Sequence, residues 1–532
     1  MLGGLLSAFE LSGRESLLRK ADELGERLLF AFHTPTGLPY GTLGLKTRSR
    51  YNPSWANGAS TIAEVMTLQL EFRALSRHTG RPEYEAVASR VMDHLHEMPR
   101  PAGLPAGLLP MFISVESGQV CNHICNHTCN HICNHISVES GQFTSDIVTL
   151  GARADSAYEY LLKQWLLSGR TDERARAMYE ESVSAMSRHL VRSGGASKCD
   201  NCTYIGSWNY RSKAYTEQMD HLVCFVPGML ALGAQGESGA EHLQLARDLM
   251  ETCYRMYAET PTGLAPEIGA FHKAQPRLVP AGSARHSLLR PETVESLFIM
   301  WRRTGEQRYR EWGWDIFEAI ERHARVAGGG YAGIRDVTAA RPVQDGRMES
   351  FFTAETLKYL YLLFGDGDAT PLHSHVFNTE AHPLALHPDY EYGEKWGSLP
   401  SLAELRQQER AAEREVQDEV RAAAKAKKAA AAAAAAAQAA AKAATAAAKV
   451  AAAAAAGLGL GGNGYEPDAA TAASAATAAT AASAADSPEA QARRAAREVE
   501  AAARGRMLGA AEARAALLAA LPRYTSKPRS SK

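Results

Sequence analysis

Carboxylates set beside an arginine, a histidine or an aromatic residue recur along the sequence: Ala63-Glu64, Arg153-Ala-Asp155, Asp220-His221, Pro266-Glu267, Arg290-Pro-Glu292-Thr-Val-Glu295 and Glu349-Ser-Phe351-Phe-Thr-Ala-Glu355. Taken singly, an acidic residue on a helix is a solvated face or half of an ion pair. Placed together near the starts of successive helices, these groups could converge on one polar, carboxylate-rich cavity. Sugar hydrolysis needs such a cavity: an acid for the leaving oxygen, a base for the water, and polar groups to hold hydroxyls.

The Arg290-Pro-Glu292 element carries the most local information. Proline suits the first helical turn, so Glu292 would sit in the positive field of a helix N-terminus. That field favours the ionised carboxylate, the form a general base must have before it takes a proton from water. Phe351 and Glu355 are four apart and would share a helical face, where an aromatic can floor a sugar while the carboxylate binds hydroxyls. The alternative is a core phenylalanine beside a buried ion-pair partner.

The elements that must position these groups are helical. Apolar residues recur at three- and four-residue spacing over 14–31, 60–79, 83–97, 154–168, 172–193, 239–257, 292–304, 307–323 and 349–364. Connectors such as Thr79-Gly-Arg-Pro82 and Thr304-Gly-Glu306 are short, so neighbouring helices pair as antiparallel hairpins. Successive hairpins without a strong strand pattern predict an all-α fold, either a helical array or an α/α toroid.

Composition limits how much of the 532 residues folds compactly. From about Arg421 to Asp486 alanine dominates, broken by a Gly-rich run from Gly457 to Gly464, which leaves little to bury. We therefore expect a folded domain over 1–400 and a low-complexity, Ala-rich helical tail over 401–532. The net charge of −1 and the lack of a dense Lys/Arg patch argue against a nucleic-acid partner. No run approaches the roughly 18–20 apolar residues of a membrane span, and the opening Met1-Leu-Gly-Gly-Leu-Leu-Ser lacks a basic n-region, so neither an anchor nor a signal peptide is expected in this chain.

One segment looks foreign. Residues 113–119, Ile-Ser-Val-Glu-Ser-Gly-Gln, recur at 136–142, and between them runs a four-residue period on Cys-Asn-His. The direct repeat marks 120–142 as a local duplication or a gene-model error. Cys121, Cys125, Cys129 and Cys133 alternate with His123, His127, His131 and His135. Cys/His at that spacing could bind zinc, but zinc modules rarely repeat one tetrapeptide between duplicated flanks, and we read an exposed insertion. Cys199 and Cys202 could form a local bridge or stay as thiols, and Asn126-His-Thr and Asn201-Cys-Thr are glycosylation candidates if the chain is luminal.

Six ordered motifs across residues 1–386 carry a family resemblance: Leu28 to Gly41, Leu68-Gln-Leu-Glu-Phe-Arg-Ala-Leu-Ser-Arg77, Gly151-Ala-Arg-Ala-Asp-Ser-Ala-Tyr-Glu-Tyr-Leu-Leu-Lys163, His221-Leu-Val-Cys-Phe225, Leu288 to Leu297 and Val376-Phe-Asn-Thr-Glu-Ala-His-Pro383. The sequence resembles glycoside hydrolase family 47, the class I α-1,2-mannosidases, and the 151–155 and 222–225 motifs look closest to the processing members. The resemblance implies an (αα)7 barrel, incomplete at the N-terminus, that removes terminal α-1,2-linked mannose from high-mannose N-glycans with inversion, in the endoplasmic reticulum or Golgi lumen. It implies Asp155 and Glu292 as catalytic carboxylates, with Glu292 the base and Asp155 on the acid side through water. Glu64, Arg153, Asp220, His221, Glu267, Arg290, Phe351 and Glu355 match sugar-binding positions, Thr379 and Glu380 match the Ca²⁺ site, and Cys224 with Cys253 matches the family disulfide. An oxygen-only, water-rich site suits Ca²⁺. A further family glutamate, the usual acid, lies upstream of the Leu-Gly-Gly-Leu-Leu-Ser segment and has no counterpart here. The alternative expectation is accordingly a non-catalytic module that binds mannose glycans.

Overall fold

The computed structural model describes residues 1–56, 58–115, 144–194, 199, 202–271, 277–365 and 370–388, with scattered positions between 414 and 447. The Cys-Asn-His insertion and both sequon asparagines, Asn126 and Asn201, lie outside the described residues. Two units divide the chain, Met1–Ala403 and Glu404–Lys532. Described positions of the second unit are helical and exposed.

In the first unit, helices buried on nearly every side, polar residues included, alternate with helices buried along one stripe. The described helices are α1 Leu2–Ser12, α2 Glu15–Leu28, α3 Ile62–Met66, α4 Gln69–Thr79, α5 Pro82–Glu97, α6 Asp155–Leu167, α7 Glu173–His189, α8 Val226–Gly233, α9 Gly239–Ala258, α10 Glu292–Thr304, α11 Arg308–His323 and α12 Leu357–Phe364. Every residue of α6 after Asp155 is buried, whereas α7 buries only one stripe, including Met178, Val183 and Met186. A helix apolar all round must lie inside and an amphipathic one must cover it. Accordingly α4, α6, α8, α10 and α12 pack side by side in that order, and α5, α7, α9 and α11 each pair with an inner helix as its antiparallel cover. Turns such as that at Gly80 make this possible: its φ of 69° closes α4 in the left-handed conformation, and Pro82 starts α5 at once.

Each inner helix returns to its successor through an outer one, so the inner helices run parallel and their N-termini share one end. That consequence of connectivity gathers the functional residues. The hairpin pairing His375–Phe377 with Pro383–Ala385 packs against α1 and α6.

The sequence predicts helices without a strong strand pattern, and the structure adds short strands between them. Short antiparallel pairs fill the inter-helix connections, among them Ala59–Thr61 with Phe112–Ser114 and Gln218–Asp220 with Ile268–Ala270. The 60–79 segment is a strand, α3 and α4, broken at Thr67 and Leu68, and 172–193 ends as a strand over Val191–Ser193. The 349–364 segment starts with a π-helical turn over Phe352–Thr356. Helices α1 and α8 were hidden by composition: α1 is apolar without a polar stripe, and α8 holds Pro227 and Gly228 within its first turn.

Candidate active site

The N-terminal ends of the inner helices carry the acidic residues. Asp155 is the first residue of α6, and Glu292 is the first residue of α10, with Pro291 as its cap. His221 opens a 3₁₀ turn, His221–Phe225, that runs into α8, and Glu355 lies in the π-helical turn that leads into α12. Glu64 belongs to α3, where it forms a capping box with Thr61: Thr61 N–H donates to Glu64 Oε2 at 3.0 Å and Glu64 N–H to Thr61 Oγ1 at 3.2 Å. Glu64 is exposed at the rim, and Arg153, exposed with φ 73°, accepts the Ala63 N–H through its carbonyl.

Glu292 is held by an imidazole. His221 Nδ1 lies 2.9 Å from Glu292 Oε2, while His221 Nε2 lies 2.7 Å from the Tyr257 hydroxyl and 3.0 Å from Thr293 Oγ1. With hydroxyl donors at Nε2, the ring proton belongs on Nδ1, where it donates to the carboxylate. His221 is only 3% exposed, so the ring is held in one place behind Glu292.

Arg290 organises the adjoining wall. Its Nε donates to Glu267 Oε2 at 2.5 Å, its guanidinium lies 5.5 Å from the Phe351 ring centre, and Leu288 N–H occupies the other Glu267 oxygen at 2.9 Å. Phe351 is half-buried, with the guanidinium over one face. The π-helical turn alters the four-residue register expected between Phe351 and Glu355, so their shared α-helical face is corrected by the wider turn that follows Phe351. Leu289 has φ 60°, a left-handed conformation costly for a leucine, in the residue that aims Arg290. Asp220 accepts the Ala152 N–H at 3.2 Å. A Cβ on Gly151 would stand 2.2 Å from Asp220 Oδ2, so only glycine allows this approach.

Too many carboxylates share this end for all to ionise freely. Burial first, then the neighbouring Glu292 and Glu159 charges, push Asp155 from 3.8 up to about 7, against the Ser156 N–H that favours its ionised form. Glu355 rises to about 9 through burial and then Glu292, Glu295, Glu380 and Glu159. Asp220 is raised as well, chiefly by burial. Asp155 is thus biased to hold a proton next to a carboxylate that a histidine orients. Those are the two states that acid–base hydrolysis needs.

Thr379 sits at the tip of the C-terminal hairpin, and α4 and α6 fix that tip. Glu71 Oε1 accepts from Asn378 Nδ2 at 2.7 Å and from the Tyr160 hydroxyl at 2.9 Å, and Thr379 N–H points to the same hydroxyl at 3.3 Å. Asn378 Oδ1 accepts the N–H groups of Glu380 and His382, which supports Ala381 at φ 56°. Glu380 is exposed, 3.7 Å from His382 Nε2. As a test of fit to a cation, the tip offers the Thr379 hydroxyl and the Glu380 carboxylate, and Glu355, raised first by burial and then by Glu292, Glu295 and Glu380, feels the surplus of carboxylates at this end. A hard divalent ion matches both the donor type and the excess negative charge.

Sequence reasoning missed the layer beneath. Lys163 of α6 bonds Glu159 one turn earlier and lies 3.4 Å from Glu295 of α10, whose Oε1 also accepts the Tyr359 hydroxyl of α12 at 3.2 Å. Two carboxylates share one ammonium in the interior, and burial pushes Glu295 up to about 7. A lysine three residues into the otherwise apolar Tyr160-Leu-Leu-Lys163 run was the available signal. Lys163 and Glu295 also line a cavity of about 350 Å³ that reaches toward the other ends of the inner helices. Both cysteine pairs outside the insertion are bridged, Cys224 with Cys253 and Cys199 with Cys202.

Comparison with known proteins adds the following. The profile described as glycosyl hydrolase family 47 matches residues 1–386. The endoplasmic reticulum mannosyl-oligosaccharide 1,2-alpha-mannosidase of Homo sapiens is 43% identical over 394 residues, covering 73% of this chain and 52% of that protein. A mannosyl-oligosaccharide 1,2-alpha-mannosidase of Arabidopsis thaliana is 42% identical, covering 73% of this chain and 63% of its own length. The chain therefore spans between half and two-thirds of these relatives. Among solved structures, an alpha-1,2-mannosidase from Trichoderma reesei superposes with a TM-score of 0.62 at 28% identity, covering 72% of this chain and 80% of that one.

Proposed function

The chain belongs to glycosyl hydrolase family 47, and from that premise we propose that it hydrolyses terminal α-1,2-linked mannose from high-mannose N-glycans, with inversion. The observation that carries the reading is the pairing of a raised Asp155 with a Glu292 held by His221. Glu292, at a helix N-terminus and oriented through Oε2, takes the proton from the attacking water. Asp155 delivers a proton through water toward the leaving oxygen, and Glu292 and Glu159 sustain its protonated form near neutrality. Arg290, locked to Glu267 and laid over Phe351, gives the sugar a rigid wall, with Asp220 and Glu355 as hydroxyl partners and Glu64 and Arg153 at the rim.

The inner and outer helices are read as an (αα)7-type barrel domain over residues 1–400, followed by an Ala-rich helical tail. Ca²⁺ is the proposed ion, held by Thr379 with Glu355 and Glu380 acting on its waters, and when bound it would coordinate and orient sugar hydroxyls. The relatives named for the endoplasmic reticulum favour that lumen over the Golgi.

The test is release of free mannose from a Man₉GlcNAc₂ glycan by the full chain, with Glu292→Gln as the control. Expected is mannose release by the parent and none by the variant. Retained glycan binding with no release by the parent would instead support the binding module.

A further inference from the structure

At the end of the first unit opposite the carboxylate cluster, three metal-ligating side chains from distant parts of the sequence meet. Glu10 belongs to α1, His78 to the last turn of α4, and His387 follows the C-terminal hairpin. One ligand atom from each lies within 4.8 Å of the others. Glu10 Oε1 is 2.7 Å from His78 Nε2. Because His78 closes α4 and His387 N–H donates to the carbonyl of Leu167, the last residue of α6, the cluster lies at the C-terminal ends of the inner helices. The residues around Thr379 and Glu292 occupy the other end.

The cluster has the features of a built site. Glu10 Oε2 accepts the Ala385 N–H at 2.8 Å, which orients the carboxylate and leaves Oε1 toward the histidines. The Phe9 and His78 rings meet edge to face at 5.1 Å, and the His78 and His387 rings stand at 89° to one another. Neighbouring cations are already engaged: Arg73 pairs with Asp172 at 2.8 Å and Glu85 at 3.5 Å, and Arg77 donates to the Leu386 carbonyl at 3.1 Å. His387 is fully buried, whereas the His78 side chain keeps 21% of its surface, which gives an ion a way in.

Two imidazoles and a carboxylate form a donor set that suits a borderline ion such as Zn²⁺, with a fourth position left for water. Ligand atoms about 2.0–2.2 Å from one tetrahedral ion stand roughly 3.4 Å apart, so atoms already within 4.8 Å of one another need separations to change by at most about 1.4 Å for ligation. We propose that Glu10, His78 and His387 bind one zinc-class ion that staples the first helix to the segment after the hairpin. Its role is structural and it takes no part in sugar hydrolysis.

Zinc content after dialysis tests this. The full chain carrying Cys121, Cys125, Cys129 and Cys133→Ser, which removes the thiols of the insertion and leaves the cluster intact, is equilibrated with Zn²⁺ and counted by atomic emission. One zinc per chain is expected, falling to none when His78→Gln or Glu10→Gln is added. Co²⁺ in its place should give tetrahedral visible absorption without a thiolate band. Absence of zinc from the four-serine chain overturns the proposal without requiring any change at the cluster. So does zinc that both further variants retain. Circular dichroism of each variant identifies losses that follow from unfolding; if His78→Gln unfolds, Glu10→Gln, which keeps an acceptor for Ala385, decides.

Discussion

His221 and Glu292 lie 71 positions apart in sequence and 2.9 Å apart in space, joined through Nδ1 and Oε2. The other imidazole nitrogen is closed by Tyr257 and Thr293, so the ring can serve Glu292 in one orientation only. In the proposed mechanism the histidine therefore positions Glu292 rather than replacing it. Glu292→Gln should lower kcat by on the order of 10²–10⁴-fold. His221→Ala should lower kcat by less and leave KM for the glycan nearly unchanged. A KM rise equal to the kcat loss would move His221 from positioning to sugar binding.

In the proposed mechanism the raised Asp155 sets the alkaline limit of activity. As an acid it works only while protonated, so mannose release should fall as pH rises through about 7, the value to which burial and the Glu292 charge push it. Asp155→Asn should cost roughly 10²–10⁴-fold and abolish that limb. A pH–rate profile of both proteins is the measurement. An alkaline limb unchanged in the residual activity of the variant would assign it to another group.

Part of this arrangement was legible in the sequence. Pro291 before Glu292 marked a helix start, and Gly80 with Pro82 marked a hairpin, because each residue acts within one turn. Most of the helices followed from spacing, α1 and α8 excepted. What could not be read depends on partners far along the chain. Glu71 looks like any helical glutamate until Tyr160 and Asn378 reach it, the latter 307 residues away. Lys163 and Glu295, 132 apart, become a pair only when α6 and α10 face each other. The break at Thr67 likewise follows from tertiary contact: its hydroxyl bonds Ser156 of α6 at 2.8 Å, and no local spacing encodes that.

Calcium should stabilise the protein through Thr379. Starting from chelator-treated protein, Ca²⁺ at about 100 times Kd contributes about 2.7 kcal/mol, which corresponds to a Tm rise on the order of 3 °C for a domain of this size. Thr379→Val should lose most of that rise, whereas His78→Gln should keep it, since the two sites lie at opposite ends of the inner helices. Calorimetry with added Ca²⁺ checks both. A full response in the valine variant would remove Thr379 from the site.

The buried Glu159, Lys163 and Glu295 group should make stability depend on pH. Burial and the Glu159 charge raise Glu295 from 4.5 to about 7, with Lys163 opposing. A group whose folded pKa is raised gives its full stabilisation below the unfolded value and loses it as pH climbs through the folded one. Tm should therefore decline between about pH 5 and 8. Glu295→Gln leaves Lys163 paired with Glu159 and cannot ionise, so its decline should be shallower by a few degrees. Equal slopes in the two proteins would mean that Asp155 and Glu355 carry the dependence instead.

The Cys224–Cys253 bridge links the turn that carries His221 to α9 across a separation of 29 residues. Closing a loop of that length removes about 3–4 kcal/mol of unfolded-chain entropy. Cys224→Ser with Cys253→Ser should then lower Tm by on the order of 4 °C. Activity should fall more steeply with temperature than in the parent, because the strand and turn that hold His221 against Glu292 loosen before α10 does. Comparing the temperature at which mannose release is lost with the calorimetric Tm separates the two effects. If both shift equally, the bridge stabilises the whole unit and has no local hold on the base.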